Sequence, residues 1–212
     1  MAPKAVVAAN RERRQRQKNE RRDALLGAAR KVFAQKGYDG STMADIAREA
    51  GVAAGTVYLY FASKTDLFAA LNLQLYDVIN QALDVTDAPP DLVGATRVRI
   101  QGVFQAARQH SDLVRLVFLN PDPRSEVAPR MKRADEERLR PLAELLRTGM
   151  DTGIVRSGDA YLLARIITGL VIMGLFQCFV HSDGHLVETY QDTITDMVVG
   201  ALRPSQTLQA SP

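Results

Sequence analysis

The chain has 212 residues, 46% hydrophobic and 24% charged, with a formal net charge of +3. That length buries a sizeable core without metal or disulfide staples, and the balance is ordinary for a globular protein. The single cysteine, Cys178, excludes an intrachain disulfide and leaves too few thiolates for a cysteine-based zinc site.

His181 and His185 are four apart, but an aspartate and a glycine lie between them. The expectation is a solvated turn, with no metal and no cofactor. The basic residues near the N-terminus follow its short apolar piece, which is not the order of a secretory signal. The longest apolar run, Ile166 to Val180, has 15 residues and includes Thr168 and Gln177. It falls short of a membrane span, so a cytoplasmic setting with no membrane partner is expected. The net charge hides an asymmetry. Residues 1–64 carry 13 Lys/Arg against 6 Asp/Glu, whereas residues 65–212 carry 14 against 18. A basic head on a mildly acidic body points the head at a polyanion.

In chain order, residues 1–19 read as a basic flexible arm, crowded with Arg11, Arg13, Arg14, Arg16 and Lys18. A first helix is predicted from about residue 19 or 20 to Lys36, with Leu25, Leu26, Ala29, Val32 and Phe33 on one stripe and Gly37 after the last turn. Thr42 and Asp45 form a capping box that starts a second helix, and Gly51 ends it. A third helix covers about Ala53 to Phe61, with Val57 and Phe61 facing the core. Ser63 precedes a fourth, from Lys64 to about Leu83, whose apolar residues repeat at three and four. Pro89 and Pro90 mark a turn. The body continues with helices over Leu92–Gln109, Asp112–Leu119 and Pro129–Met150, the last with Pro141 as a kink or restart. An irregular stretch over residues 120–128 separates the second and third of these. Asp159–Val180 and Leu186–Leu202 follow. No strand pattern competes. The fold class is therefore all-α, with about nine helices. Residues 20–66 form a helix-turn-helix head, 67–204 a helical body and 205–212 a flexible tail.

Two short helices joined at a glycine turn and backed by a third are the scaffold that places a helix in the DNA major groove. Ala53, Ala54 and Gly55 carry almost no side chain, so backbone can approach phosphate closely. Thr56 can donate to phosphate or meet a thymine methyl. Tyr58 and Tyr60 carry hydroxyls on rigid stems, Leu59 offers apolar contact, and Thr42 and Lys64 add phosphate contacts. Competing roles remain for several of these: Tyr58 or Tyr60 as a core aromatic, Thr42 as a cap only.

The stretch from Arg22 to Asn72, read through LLGAARKVFAQKGYDGST and MADIAREAGVAAGTVYLYFASKTDL, resembles the DNA-binding domain of the tetracycline-repressor-like (TetR) regulators. The resemblance implies that Gly55, Thr56, Tyr58, Tyr60, Phe61 and Lys64 lie on or beside the recognition helix. It also implies a homodimer on palindromic DNA, mostly repressing, and released by a small molecule in the body. One departure is Ala53, where members often carry a capping serine.

In the body, the dimer interface is expected at Ile167, Leu170, Val171, Phe179, Ile194, Met197 and Val198. An apolar effector pocket is expected at Phe104, Arg108, Phe118, Met131, Arg165, Met173 and Phe176. An enzyme reading finds no HExxH, no nucleotide-binding glycine loop and no Cys-His or Ser-His arrangement. Activation, or regulation without a ligand, stays open beside repression.

Overall fold

The computed structural model describes residues 2–85, 87–119, 128–182 and 184–204, without the side chains of 2–8, 128–135 and 138. The expected tail after residue 204 and most of the irregular segment 120–128 lie outside the described residues. Every regular element among those described is helical: α1 (Ala2–Lys36), α2 (Met43–Glu49), α3 (Ala54–Tyr58), α4 (Lys64–Leu83), α5 (Leu92–Gln109), α6 (Ser111–Leu119), α7 (Ala128–Asp151), α8 (Ala160–Phe176), a π-helical turn (Gln177–His181) and α9 (Val187–Leu202). The chain packs into two compact units that meet in sequence at Leu73–Gln74, inside α4.

In the N-terminal unit, Leu25, Leu26, Ala29, Val32 and Phe33 of α1 are buried together with Ile46, Val57, Phe61, Leu67, Phe68 and Leu71. Phe33, Tyr38 and Phe68 form an aromatic triangle with ring centroids 5.1–6.1 Å apart. This is the three-four stripe of α1 closed over the short helices, as the spacing predicts. The arm departs from expectation. Residues 2–19, expected as a basic flexible arm ahead of the first helix, are the N-terminal continuation of α1, exposed from residue 9 to 20. Ala, Arg, Gln, Lys and Glu are strong helix formers, and a helix nucleated by packing extends through such residues without further apolar contacts. Pro3, in the first turn, has no intrahelical N–H to lose.

In the C-terminal unit, α5 pairs with α9 and α7 with α8. Val103, Phe104, Ala107, Leu113, Val114, Ala164 and Leu175 are fully enclosed. α7 runs through Pro141 without a break. The helical stretch containing the apolar run is longer than its sequence suggests. Ala160–His181 has 22 residues and is long and apolar enough, by length and composition, to cross a membrane. Within the unit, Ala164, Val171, Gly174, Leu175 and Cys178 of this stretch are buried, and α8 packs on α7 and α9. A helix apolar all round has one face left over after such packing.

The α4–α5 crossing depends on Gly102. A Cβ there would lie 2.9 Å from the Ala82 carbonyl oxygen, a backbone atom that cannot step aside. Gly102→Ala gains about 1 kcal/mol of helix propensity and is opposed by roughly 1–3 kcal/mol of overpacking. The expected net outcome is a lower urea midpoint. Gly27→Ala, where the methyl meets nothing within 4 Å, should raise it.

Candidate nucleic-acid interface and effector cavity

α2 begins with a complete capping box. The Thr42 Oγ1 accepts from the Asp45 N–H at 3.1 Å, and the Asp45 carboxylate accepts from the Thr42 N–H at 3.1 Å. The same carboxylate takes Lys36 Nζ at 2.7 Å and Arg48 at 3.1 Å. The Lys36 ammonium, then the Thr42 hydroxyl, hold the Asp45 carboxyl far below the usual carboxylate range. α2 ends at Gly51, whose φ of +66° lets its N–H reach Arg48 O while the Val52 N–H reaches Ala47 O. That pair of bonds is the Schellman arrangement, and glycine carries no steric penalty at its left-handed position.

α3 is shorter than its sequence predicts. Ala53 is its N-cap with no side-chain bond, and after Tyr58 the chain tightens into three-residue turns, Leu59 N–H to Thr56 O and Tyr60 N–H to Val57 O. Val57 and Phe61 are buried and anchor it, and the Arg22 guanidinium sits 5.3 Å over the Phe61 ring. Its outer face carries Ala53, Ala54, Gly55, Tyr58 (54% exposed) and Leu59 (80% exposed), with Thr56 and Tyr60 half-buried beside them. Thr42 is exposed at the start of α2. Eight of the nine residues expected to meet DNA are thus exposed or half-buried on the N-terminal unit, with no side-chain hydrogen bond beyond the Thr42 capping box.

Lys64 is the exception. Its Nζ donates to Tyr38 O at 2.6 Å and to Ser41 O at 2.9 Å, and lies 4.3 Å over the Tyr38 ring. An ammonium has three donors, so two are already engaged by backbone. With these two donors Lys64 closes the α1–α2 connection onto α4, a structural role beside the phosphate contact expected from its place after the aromatic cluster.

The C-terminal unit encloses a cavity of about 620 Å³, walled by Ile79, Leu83, Leu142, Leu146, Ile172 and neighbouring apolar groups, with Arg99 and Arg165 also lining it. Of the six expected pocket residues whose side chains are described, only Arg165 lines this cavity. Phe104 is core, and Arg108 and Met173 face outward. Phe118 and Phe176 pack on each other at 5.5 Å, with His181 on Phe176. The Met131 side chain lies outside the described residues. The aromatics closed the core, and the cavity opened instead between α4, α5, α7 and α8, where Leu and Ile alternate with Thr. Arg99 was missed, although with Leu92, Thr96 and Val103 it occupies an inward three-four spacing on α5. The expected dimer set is also redistributed. Val171, Phe179, Ile194 and Val198 are buried within the protomer, Ile167 and Leu170 are half-buried, and Met197 is exposed. The free apolar stripe of α8 is Leu162, Ile166, Gly169 and Met173, one turn apart along one face.

The family model for bacterial regulatory proteins of the tetR family matches residues 25–71. The transcriptional activator FasR of Mycolicibacterium smegmatis is 30% identical over 179 residues, which is 81% of this chain and 77% of that protein. The chain belongs to the tetR family. It is a DNA-binding transcriptional regulator, and the transcriptional repressor KstR2 of Mycobacterium tuberculosis is a further relative, 28% identical over 71% of this chain and 78% of its own. Other curated relatives are matched over half of their own length or less. Among solved structures, FadR of Bacillus subtilis in complex with stearoyl-CoA has the same fold, with a TM-score of 0.72 at 21% identity over 85% of this chain and 98% of that one.

Two outcomes follow for this family member's head. Lys64→Met removes two hydrogen bonds from a cation and should lower the head's stability by roughly 1.5–3 kcal/mol per bond at most, read by urea unfolding. It should leave the salt slope of DNA binding unchanged, where a lost phosphate contact would reduce that slope by about 1. The Asp45 carboxyl titrates lower folded than unfolded, so its contribution is complete above the unfolded carboxyl value of about 4 and fades as pH falls below it. The stability difference between wild type and Asp45→Asn should therefore be constant from neutral pH down to about 5 and shrink in more acidic buffer.

Proposed function

We propose that the chain acts as a homodimer on a palindromic operator and represses transcription until a small, largely apolar ligand enters the cavity of the C-terminal unit. It performs this role in the cytoplasm and without catalysis. The observation that carries the DNA-binding half is the outer face of α3: a short helix anchored by Val57 and Phe61 and presenting Tyr58, Leu59 and Thr56 outward. Small residues at Ala53, Ala54 and Gly55 allow its backbone close to the duplex, and the tyrosine hydroxyls and Thr56 supply phosphate and base contacts. The exposed basic side chains of α1, from Arg11 to Lys18, extend the same polarity.

Dimerisation is supported by the stripe Leu162, Ile166 and Met173 on α8 together with Met197 on α9, each more than half exposed. An apolar row of this size on one face is covered by a second copy in this reading, and the exposed Gly169 lets the two helices approach closely. Two heads related by a two-fold axis meet half-sites about 34–36 Å apart. Ligand release is supported by the cavity and by a fold shared with a FadR that is solved with stearoyl-CoA. α4 contributes Tyr76, Ile79, Asn80 and Leu83 to the cavity, and its first residue, Lys64, holds the Tyr38 and Ser41 carbonyls. In this reading α4 carries the ligand signal to the head. The relatives include one activator and one repressor. Activation is the second reading, and operator position relative to a promoter decides between them.

Tyr58→Ala and Ile166→Glu separate the two halves. The first should weaken operator binding at least about tenfold, the scale of one lost hydrogen bond to a charged group, with the dimer intact by sedimentation. The second should give a monomer that melts normally and has lost tight operator binding. A dimer that persists in Ile166→Glu, or full affinity in Tyr58→Ala, would place the surfaces elsewhere.

A further inference from the structure

The cavity walls are largely apolar, yet two arginines line them without a counter-charge, and one of these has a buried donor. Arg99, on α5, spends one donor on its own helix, Nη1 to Ala95 O at 3.0 Å. Its Nε–H is buried and has no acceptor. Among the described residues no carboxylate pairs with it. Asp91, the acidic residue of the cavity lining, caps α5 and accepts from the Gly94 N–H at 2.7 Å. An arginine stays charged in any protein environment, and a buried donor left unmet costs free energy that an acceptor recovers. Arg165 lines the same cavity, its guanidinium 5.5 Å over the Tyr161 ring and without a carboxylate partner among the described residues. The remaining polar lining is mostly hydroxyl and neutral, Thr96, Thr148 and Thr168 among it. A half-buried guanidinium with an unmet donor, and a second, exposed arginine, line an otherwise largely apolar cavity of about 620 Å³, which selects for a ligand that is greasy along its body and negative at one end.

We propose that the cavity takes an amphiphilic organic acid, with its apolar chain against Ile79, Leu83, Leu142, Leu146 and Ile172 and its carboxylate on the Arg99 guanidinium. This rests on reading the cavity as the effector site. A carboxylate is favoured because its two acceptors match the planar guanidinium fork. A thioester conjugate of the same chain carries its charge on distant phosphates and presents only a neutral carbonyl at that point.

Titration calorimetry of the full chain with decanoate, decanol and decanoyl-CoA tests it. Decanoate should bind at least about tenfold more tightly than decanol, and Arg99→Met should abolish that preference, the scale expected for a hydrogen bond to a charged group. Arg99→Lys should keep part of it. Arg99→Met should also change the ligand-free melting temperature little, since the lost Nη1 bond to Ala95 O is offset by removal of a buried, unpartnered Nε–H. If Arg99→Met does not fold, Arg99→Gln carries the same comparison. Equal binding of acid and alcohol, an acid preference that survives in Arg99→Met, tighter binding of decanoyl-CoA that ignores Arg99, or no binding of any of the three overturns the assignment. An operator-binding assay with the same ligands keeps the two readings apart. Acid that binds with no change in operator affinity sinks ligand release and leaves this assignment standing, whereas release by decanol as readily as by decanoate does the reverse.

Discussion

The N-terminal unit depends on one cation. Lys64 stands at the start of α4, where a positive charge opposes the helix dipole. It is held there by the Tyr38 and Ser41 carbonyls and by the face of the Tyr38 ring. Those carbonyls belong to the connection between α1 and α2, and Tyr38 is one corner of the Phe33–Tyr38–Phe68 triangle. One ammonium therefore ties α1, the entry to α2 and α4 into a single body. α2 keeps its capping box and α3 keeps its exposed face because the frame behind them is fixed.

The C-terminal unit solves a different problem. α8 is apolar on all sides, and a single protomer covers only part of it. Its Ala164–Val171–Leu175 face is buried, while Leu162, Ile166 and Met173 remain outside. Burial of that stripe is worth roughly 1.5–3 kcal/mol for each large side chain fully covered, a strong reason for a helix of this composition to meet a second copy. On the face between these two, Thr168, Ile172 and Arg165 border the cavity. In the proposed reading, this helix is the element through which ligand occupancy bears on assembly.

Much of this was legible in the residues, for identifiable reasons. The head was readable because its punctuation is chemical: Thr42 with Asp45, Gly37 and Gly51 at left-handed positions, and Val57 with Phe61 four apart. The body yielded its helices but not its surfaces. Periodicity marks which residues are apolar, and it cannot divide them among core, cavity and partner face. Val171 and Ile166 look alike in sequence and end on opposite sides of α8. The structural bonds of Lys64 were not legible because carbonyl acceptors leave no trace in sequence. Residues 2–19 were misread because a charge-rich segment suggests a loose arm, whereas Ala, Arg, Gln and Glu also propagate a helix.

The central claim is that the outer face of α3 reads DNA as one half of a two-fold pair. Selecting bound duplexes from a random pool with the full chain measures this directly. The account predicts an inverted repeat with half-sites one helical turn apart, about 34–36 Å, and affinity that falls steeply with salt. A single asymmetric site, or binding with no sequence preference at any salt concentration, would contradict it.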